Sequence, residues 1–318
     1  MIYIILFSKQ TNMNIFTKNI LTLCILFCQT TIWAQKNSTL ILQSETKQDG
    51  TYVGIIKERK EDFAWENDHI AFRVYSRLPK GNNTSSGIDV WVKSVSYPII
   101  QKWYEAYTNG ISYHIDRGEG CDFYVVGKTR GCGGTAIYNN GKLYAANAYA
   151  NYRIYKKGGK SIDFRLDYQP FLADQTPIYE TKRIKMVNGT NFFQVTSTIE
   201  SENEEDLLVA IGLANQGKGE VKTRLQDGLL AVNEAIGDKY GVIGTAVWVA
   251  PEDIDHFETI GQNEVVILKI HSGVPFTYYV GASWDGDPRY TPFTKWNTLL
   301  EKSSYRQIKE WYQCELQK

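Results

Sequence analysis

From residue 39 to residue 284 the chain alternates apolar and polar positions in short runs separated by turn-forming residues. "TLILQSE", "TYVGIIK", "HIAFRVYSR" and "GIDVWVK" come first, then "ANYRIYK", "SIDFRLDYQP", "IYETKRIKMV" and "NFFQVTSTIE". "DLLVAIGLA", "GLLAVNEA", "YGVIGTAVWVA", "EVVILKIH" and "FTYYVGASW" follow. A period of two places alternate side chains on opposite faces, so each run predicts a strand of an antiparallel sheet. Turn signals fall between the runs: "KQDG", "NNGK", "KKGGK", "VNGTN", "NQGKG" and "QDG". "VNGTN" predicts a tight hairpin, because Asn-Gly accepts the positive φ angles such a turn needs. Helical spacing appears in "YPIIQKWYEAY" and in "SYRQIKEWYQCELQ", where Ser303 or Ser304 would cap. The pattern predicts an all-β fold, a large two-sheet antiparallel sandwich with one or two short helices, as a single domain over residues 36–318.

The first 35 residues read differently. A lysine, the apolar run Ile20 to Phe27, polar residues and Ala34 follow Met13, the three-part plan of a secretory signal peptide. Residues 1–12 read as an over-called start, and cleavage is expected after Ala34 or Gln35. The sequence therefore predicts an exported protein, periplasmic or secreted. No other stretch approaches the length of a membrane span. The signal removes two lysines and no acids, so 33 basic residues remain against 35 acidic ones, a net charge of −2. Such a balance disfavours nucleic acid as a partner. No segment speaks to oligomeric state. Of the five cysteines, Cys121, Cys132 and Cys314 remain. An oxidising compartment permits a Cys121–Cys132 disulfide, worth about 3 kcal/mol by chain entropy, with buried thiols as the alternative. With 21 tyrosines and 8 tryptophans the chain has rings that suit sugar stacking as well as sheet cores.

The densest chemistry lies in "YHIDRGEGCDFYVVGKTRGCGG", Tyr113 to Gly134. It holds His114, Tyr113, Tyr124, Asp116, Arg117, Glu119, Asp122, Lys128 and Arg130 among six glycines. An irregular loop on a β scaffold is where catalytic groups commonly sit. Histidine suits proton transfer near neutrality, and arginine makes a bidentate clamp for a carboxylate. Together these groups suit removal of a proton α to a carboxylate with loss of a β-substituent, since that proton is acidic only when the carboxylate charge is neutralised. A second cluster is "WENDHIAFRVY". Alternation puts Ile70, Phe72 and Val74 on one face and His69, Ala71, Arg73 and Tyr75 on the other, so Arg73 is expected to reach into a cleft. Trp65, Glu66, Asn67 and Asp68 precede that strand and would contact sugar hydroxyls. In a third cluster His271, Tyr278, Tyr279 and Trp284 would line a groove or simply pack. No zinc, EF-hand, nucleotide-phosphate or serine-hydrolase motif is present.

Four blocks, "WENDHIAFRVY", "SGIDVWVKSVSYPIIQKWY", "YHIDRGEGCDFYVVG" and "GCGGTAIYNNGKLY", together resemble a family of exported bacterial proteins from polysaccharide-degradation loci, the ulvan oligosaccharide dehydratase-like family. The resemblance implies a galactose-mutarotase-like sandwich. It also implies loss of water from a saturated uronic acid at a non-reducing end, leaving a 4,5-unsaturated uronate. The implied partner is a uronate-terminated oligosaccharide. His114 would serve as base at C5 or acid at O4, with Tyr124 or Tyr113 beside it. Arg73, Arg117 or Arg130 would hold the carboxylate, and Asp116 or Glu119 would orient the histidine. Such a scheme requires no cofactor or metal, although the local acids would suit calcium. The competing chemistries are a polysaccharide lyase, a glycoside hydrolase with two carboxylates from Glu66, Asp68, Glu119 and Asp122, and a non-catalytic sugar-binding module.

Overall fold

The computed structural model describes residues 50–59, 61–76, 86–203, 205–237, 239–290 and 293–317. The expected signal peptide and the "TLILQSE" strand lie outside the described residues. Within them the chain is an all-β sandwich of antiparallel sheets with three short helices. It has three sheets where the alternation predicts two. The first sheet runs β1 (Tyr52–Ile56), β2 (Asp62–Glu66), β3 (Ile70–Val74), β4 (Asp89–Lys93) and β5 (Gly120–Cys121) in order. A nine-stranded sheet includes β9 (Ser161–Tyr168), β11 (Thr176–Val187), β12 (Phe192–Ser201), β16 (Val242–Trp248) and β19 (Phe276–Trp284). The third sheet is built on β6 (Cys132–Asn139), β13 (Asp206–Ala214) and β18 (Asn263–His271), with β7 (Lys142–Tyr144) and β17 (Ile254–Ile260) at its edges.

The two smaller sheets meet at an isolated parallel bridge between Ile88 and Gly131. Both pack apolar faces on the nine-stranded sheet, which reconciles three sheets with a sandwich. Trp65 and Phe72 of the first sheet lie against Phe193, with ring centroids 5.5 and 4.6 Å away, and Trp65 also meets Phe164 at 5.3 Å. From the third sheet Val209, Ile211, Leu213, Val266 and Leu268 join the same core. Removing one such ring, as in Phe72→Ala, costs about 3–5 kcal/mol. The outer face of the nine-stranded sheet carries α2 (Thr294–Lys302) and α3 (Tyr305–Gln317). Trp248 Nε1 donates to Ser303 Oγ (3.1 Å), and the Tyr312 hydroxyl donates to the Lys185 carbonyl (2.8 Å).

The turn chemistry follows the sequence. The "NNGK" turn has positive φ at Asn140 (49°) and Gly141 (75°) and pairs Asn139 with Lys142. At "VNGTN" the β11–β12 hairpin closes with Gly189 at φ 79°.

What positions the site is the outer face of the first sheet. α1 (Ile100–Thr108) lies on it, and Trp91, Trp103, Tyr104, Tyr113, Ile99 and Ile100 form a second small core there. Hence β2, β3 and β4 are buried on both faces. Glu66 holds this helix down. Its carboxylate accepts hydrogen bonds from the backbone N–H of Ile99 (2.9 Å) and Ile100 (3.0 Å), where helix N–H groups lack internal partners. The fully buried Lys93 pairs with it at 2.8 Å.

Candidate functional site

On the face of the first sheet beneath α1, Arg73 of β3 stands opposite Asp89 of β4 in the ladder. Its guanidinium meets Asp89 Oδ2 at 2.5 Å and Asp122 Oδ2 at 3.4 Å. It also donates to the hydroxyls of Tyr104 (2.9 Å) and Tyr75 (3.2 Å), and it lies over the Trp91 ring at 5.0 Å. Burial by itself would lower the guanidinium, yet Asp89, the tyrosines and Asp122 hold its pKa above the ordinary value. Arg73 is therefore a buried ion-pair centre and not an arginine reaching into a cleft: the helix that the sequence predicts over 97–107 closes the face on which it lies. Burial and the nearby Asp89 push Asp122 well up, against the pull of Arg73. Burial likewise raises Asp62 to about 6, with Arg73 acting in the opposite direction.

The loop from Ser112 to Asp122 runs over this cluster. Its shape comes from Asp116, whose Oδ1 accepts from Gly118 N (2.8 Å) and Gly120 N (3.0 Å). Gly120 has φ 101°, and a Cβ there would lie 2.1 Å from the Val92 carbonyl, so only glycine fits. The loop presents His114 with 56% of its side chain open to solvent. Nδ1 lies 2.8 Å from the Asp122 carbonyl, which can only accept, so in the neutral ring Nδ1 carries the proton and Nε2 the lone pair. The Asp122 carboxyl lies 3.6 Å behind the same nitrogen. Thus Asp122, rather than Asp116 or Glu119, orients the ring.

Beside His114, with ring centroids 4.4 Å apart, is Tyr113. It lines a cavity of about 330 Å³ together with Lys102, Trp103, Arg117, Glu119 and Ile115. Burial raises Tyr113, against the pull of Arg73, so its hydroxyl keeps its proton at neutral pH. Arg117 is exposed and donates through Nη1 to the carbonyls of Ser112 (2.6 Å) and Ile115 (3.1 Å). Glu119 accepts from Lys102, the Tyr97 hydroxyl and Trp103 Nε1 (3.1 Å). These bonds lower its pKa although partial burial works the other way.

Several residues expected to touch substrate are structural. Tyr124 is buried in the main core, and its hydroxyl accepts from Ala214 N (3.3 Å), away from His114. Trp65 is fully buried between the sheets. Glu66 caps α1, as described. Asp68 is sealed, with Oδ1 accepting from Gly189 N (2.8 Å), while Asn67 Nδ2 donates to the Val187 and Thr190 carbonyls (both 2.7 Å). Both residues bind the "VNGTN" hairpin rather than a sugar. Trp284 donates to the Tyr240 carbonyl (2.6 Å), and the Tyr240 hydroxyl donates to the His114 carbonyl (3.0 Å), so Trp284 braces the loop from behind. Arg130 is buried between the nine-stranded and third sheets. His271 is exposed at the end of β18, pairs with Asp206 at 3.0 Å and borders a different cavity with Tyr305 and Lys309. Cys121 and Cys132 are buried free thiols on different sheets, and burial pushes the Cys121 thiol up to about 12. Of the four carboxylates proposed for a hydrolase pair, Glu66 and Asp68 are sealed and Asp122 is buried, so the four share no open cavity. Among the described residues no three His, Cys, Asp or Glu side chains gather to hold a metal ion, and no helix is long and apolar enough to cross a membrane.

Sequence reasoning missed Asp89, Lys102, Tyr104 and Asp62. "DVWVK" alternates so that Asp89, Trp91 and Lys93 share a face, and its pairing with "IAFRV" would have put Asp89 beside Arg73.

Residues 24–309 match the family described as "Domain of unknown function (DUF4861)". A relative from Formosa agariphila, "Uncharacterized protein P7", is 30% identical over 274 residues, covering 80% of this chain and 67% of its own. Two solved structures also align. One is the GH36 alpha-galactosidase AgaB of Geobacillus stearothermophilus, at TM-score 0.36, 10% identity and 73% of this chain. The other is the 4-alpha-glucanotransferase of Thermococcus litoralis, at TM-score 0.36, 9% identity and 77%. This chain spans 41% of the length of each. By the family match and the Formosa relative, this chain belongs to the DUF4861 family.

Proposed function

We propose that the protein removes water from a saturated uronic acid at the non-reducing end of an oligosaccharide, as in ulvan-type polysaccharide breakdown, leaving a 4,5-unsaturated uronate. The observation that carries this reading is His114: half-exposed, with Nδ1 committed to the Asp122 carbonyl and Nε2 left as an acceptor, in the chain between Tyr113 and Ile115, which line a cavity together with Lys102 and Arg117. In the reaction Nε2 takes the proton from C5. The C–H electron pair becomes the C4–C5 double bond, the C4–O bond breaks, and the departing hydroxyl leaves as water with a proton from solvent. Arg117 and Lys102 neutralise the carboxylate, which makes the C5 proton acidic. The charge gained by His114 develops 3.6 Å from the Asp122 carboxyl, and the Asp122 main-chain carbonyl that accepts from Nδ1 stabilises the imidazolium.

The test is incubation of a uronate-terminated oligosaccharide followed by mass spectrometry and ultraviolet absorbance. The expected product is lighter by one water, is not shortened, and absorbs through its conjugated double bond. Cleavage with gain of water would make the protein a hydrolase, cleavage with absorbance a lyase, and an unchanged substrate a binding module.

A further inference from the structure

A second charged cluster lies between the nine-stranded and third sheets, apart from the His114 loop. It is built from Glu180 and Lys182 on β11, Tyr168 on β9, Thr135 on β6 and Arg130 just before β6. Arg130, Glu180, Lys182 and Tyr168 are 6%, 5%, 2% and 6% exposed. Lys182 Nζ donates to Glu180 Oε1 (2.6 Å) and lies 4.0 Å from the centre of the Tyr168 ring. The same carboxylate oxygen accepts from the hydroxyls of Thr135 and Ser197. Arg130 donates through Nη2 to Ser86 Oγ (2.8 Å), whereas its buried Nε–H has no partner. The backbone makes room for this arginine deliberately. A Cβ at Gly212 would meet Arg130 Cβ at 2.8 Å, and one at Gly134 would meet its carbonyl oxygen at 2.4 Å.

The charges do not balance. Two cations share one carboxylate, Glu180, the acid that acts on both among the described residues. An uncompensated buried charge is costly, and so is a buried N–H without an acceptor. Arginine does not shed its proton in proteins. Burial lowers Lys182 while Glu180 holds it up, so loss of the lysine proton is opposed by its own partner. An anion with more than one acceptor oxygen relieves both faults at once.

We propose that this interior cluster is a binding site for one oxyanion group, a carboxylate or a sulfate, seated between the Arg130 Nε–H and the Lys182 ammonium. The site is independent of the elimination reading, and its test reads no turnover. Isothermal titration at fixed ionic strength in chloride would use sodium glucuronate, sodium acetate, sodium sulfate and, as the neutral control, glucose. One saturable site per chain is expected for at least one anion and none for glucose. Glucuronate binding without acetate binding marks a sugar acid as the source; acetate or sulfate binding marks the charged group alone. Arg130→Met removes the surplus charge but keeps the stem, and it should weaken binding by tenfold or more. Lys182→Met should do the same and serves where the first variant fails to fold by circular dichroism. Lys309→Met, which removes an exposed cation of α3 outside both clusters, should bind as the wild type does. The proposal is overturned if no anion binds, if both interior variants bind normally, or if Lys309→Met loses binding to the same extent.

Discussion

The two charged clusters face the same problem with opposite sign. Around Arg73 stand three carboxylates, Asp62, Asp89 and Asp122; around Glu180 stand two cations. The acid-rich cluster can correct itself with protons, and the shifts show it doing so: Asp122 and Asp62 both move up while the short Arg73–Asp89 pair stays. The cation-rich cluster has no equal escape, because one of its cations is an arginine. A buried acid surplus therefore makes a proton store, and a buried arginine surplus makes an anion site. Only the first lies beside an exposed histidine, which is why proton chemistry is assigned there.

The sharpest way to break that assignment is His114→Ala. Turnover on a uronate-terminated oligosaccharide should fall by about 10² to 10⁴, with an unchanged unfolding curve, since the ring is more than half exposed. Wild-type rates would move the chemistry elsewhere, the interior cluster being the first place to look. Next in size is Arg73→Met. It strands Asp89 and Asp122 in the interior and should cost about 3–5 kcal/mol in denaturant unfolding, the usual penalty for one half of a buried ion pair. A loss near zero would mean that protons alone can neutralise the acids. Smaller again is Arg117→Ala. If this arginine binds the substrate carboxylate, KM should rise about tenfold while the melting temperature barely moves; an unaltered KM would hand the carboxylate to Lys102.

These tests also mark what the sequence could disclose. Alternation located most strands and put Arg73 on the face away from the core, because a two-residue period follows from backbone geometry alone. It did not say what covers that face. The cover is α1, and the anchor that brings it there, Glu66 on the Ile99 and Ile100 amides, is a contact 33 and 34 residues away in sequence. Strand β2 escaped notice because "DFAWE" is buried on both sides and does not alternate. Strand β6 escaped because its glycines read as loop, whereas Gly134 is there to pass the Arg130 backbone closely. His114 was legible as chemistry from residue type and setting. Its orienting group was not, since the decisive bond goes to a main-chain carbonyl that any residue at 122 would provide.

The finest test of the proton-store idea is Asp62→Asn. Asp62 Oδ1 accepts the Ser76 amide, and asparagine keeps that acceptor. The folded-state pKa is raised from 3.8 to about 6, so between those values the folded protein holds a proton that the unfolded chain has released. Stability from this group is thus greatest below about pH 4, falls as pH rises to about 6, and is flat above. A shift of roughly two units corresponds to about 3 kcal/mol at most, and coupling to Arg73 and Asp89 reduces what one variant reveals to about 1–2 kcal/mol. The difference in unfolding free energy, variant minus wild type, should therefore become more positive by that amount from pH 4 to pH 7. Parallel stability curves for the two proteins would show that Asp62 is ionised throughout. The surplus proton would then reside on Asp122 alone, directly behind the histidine.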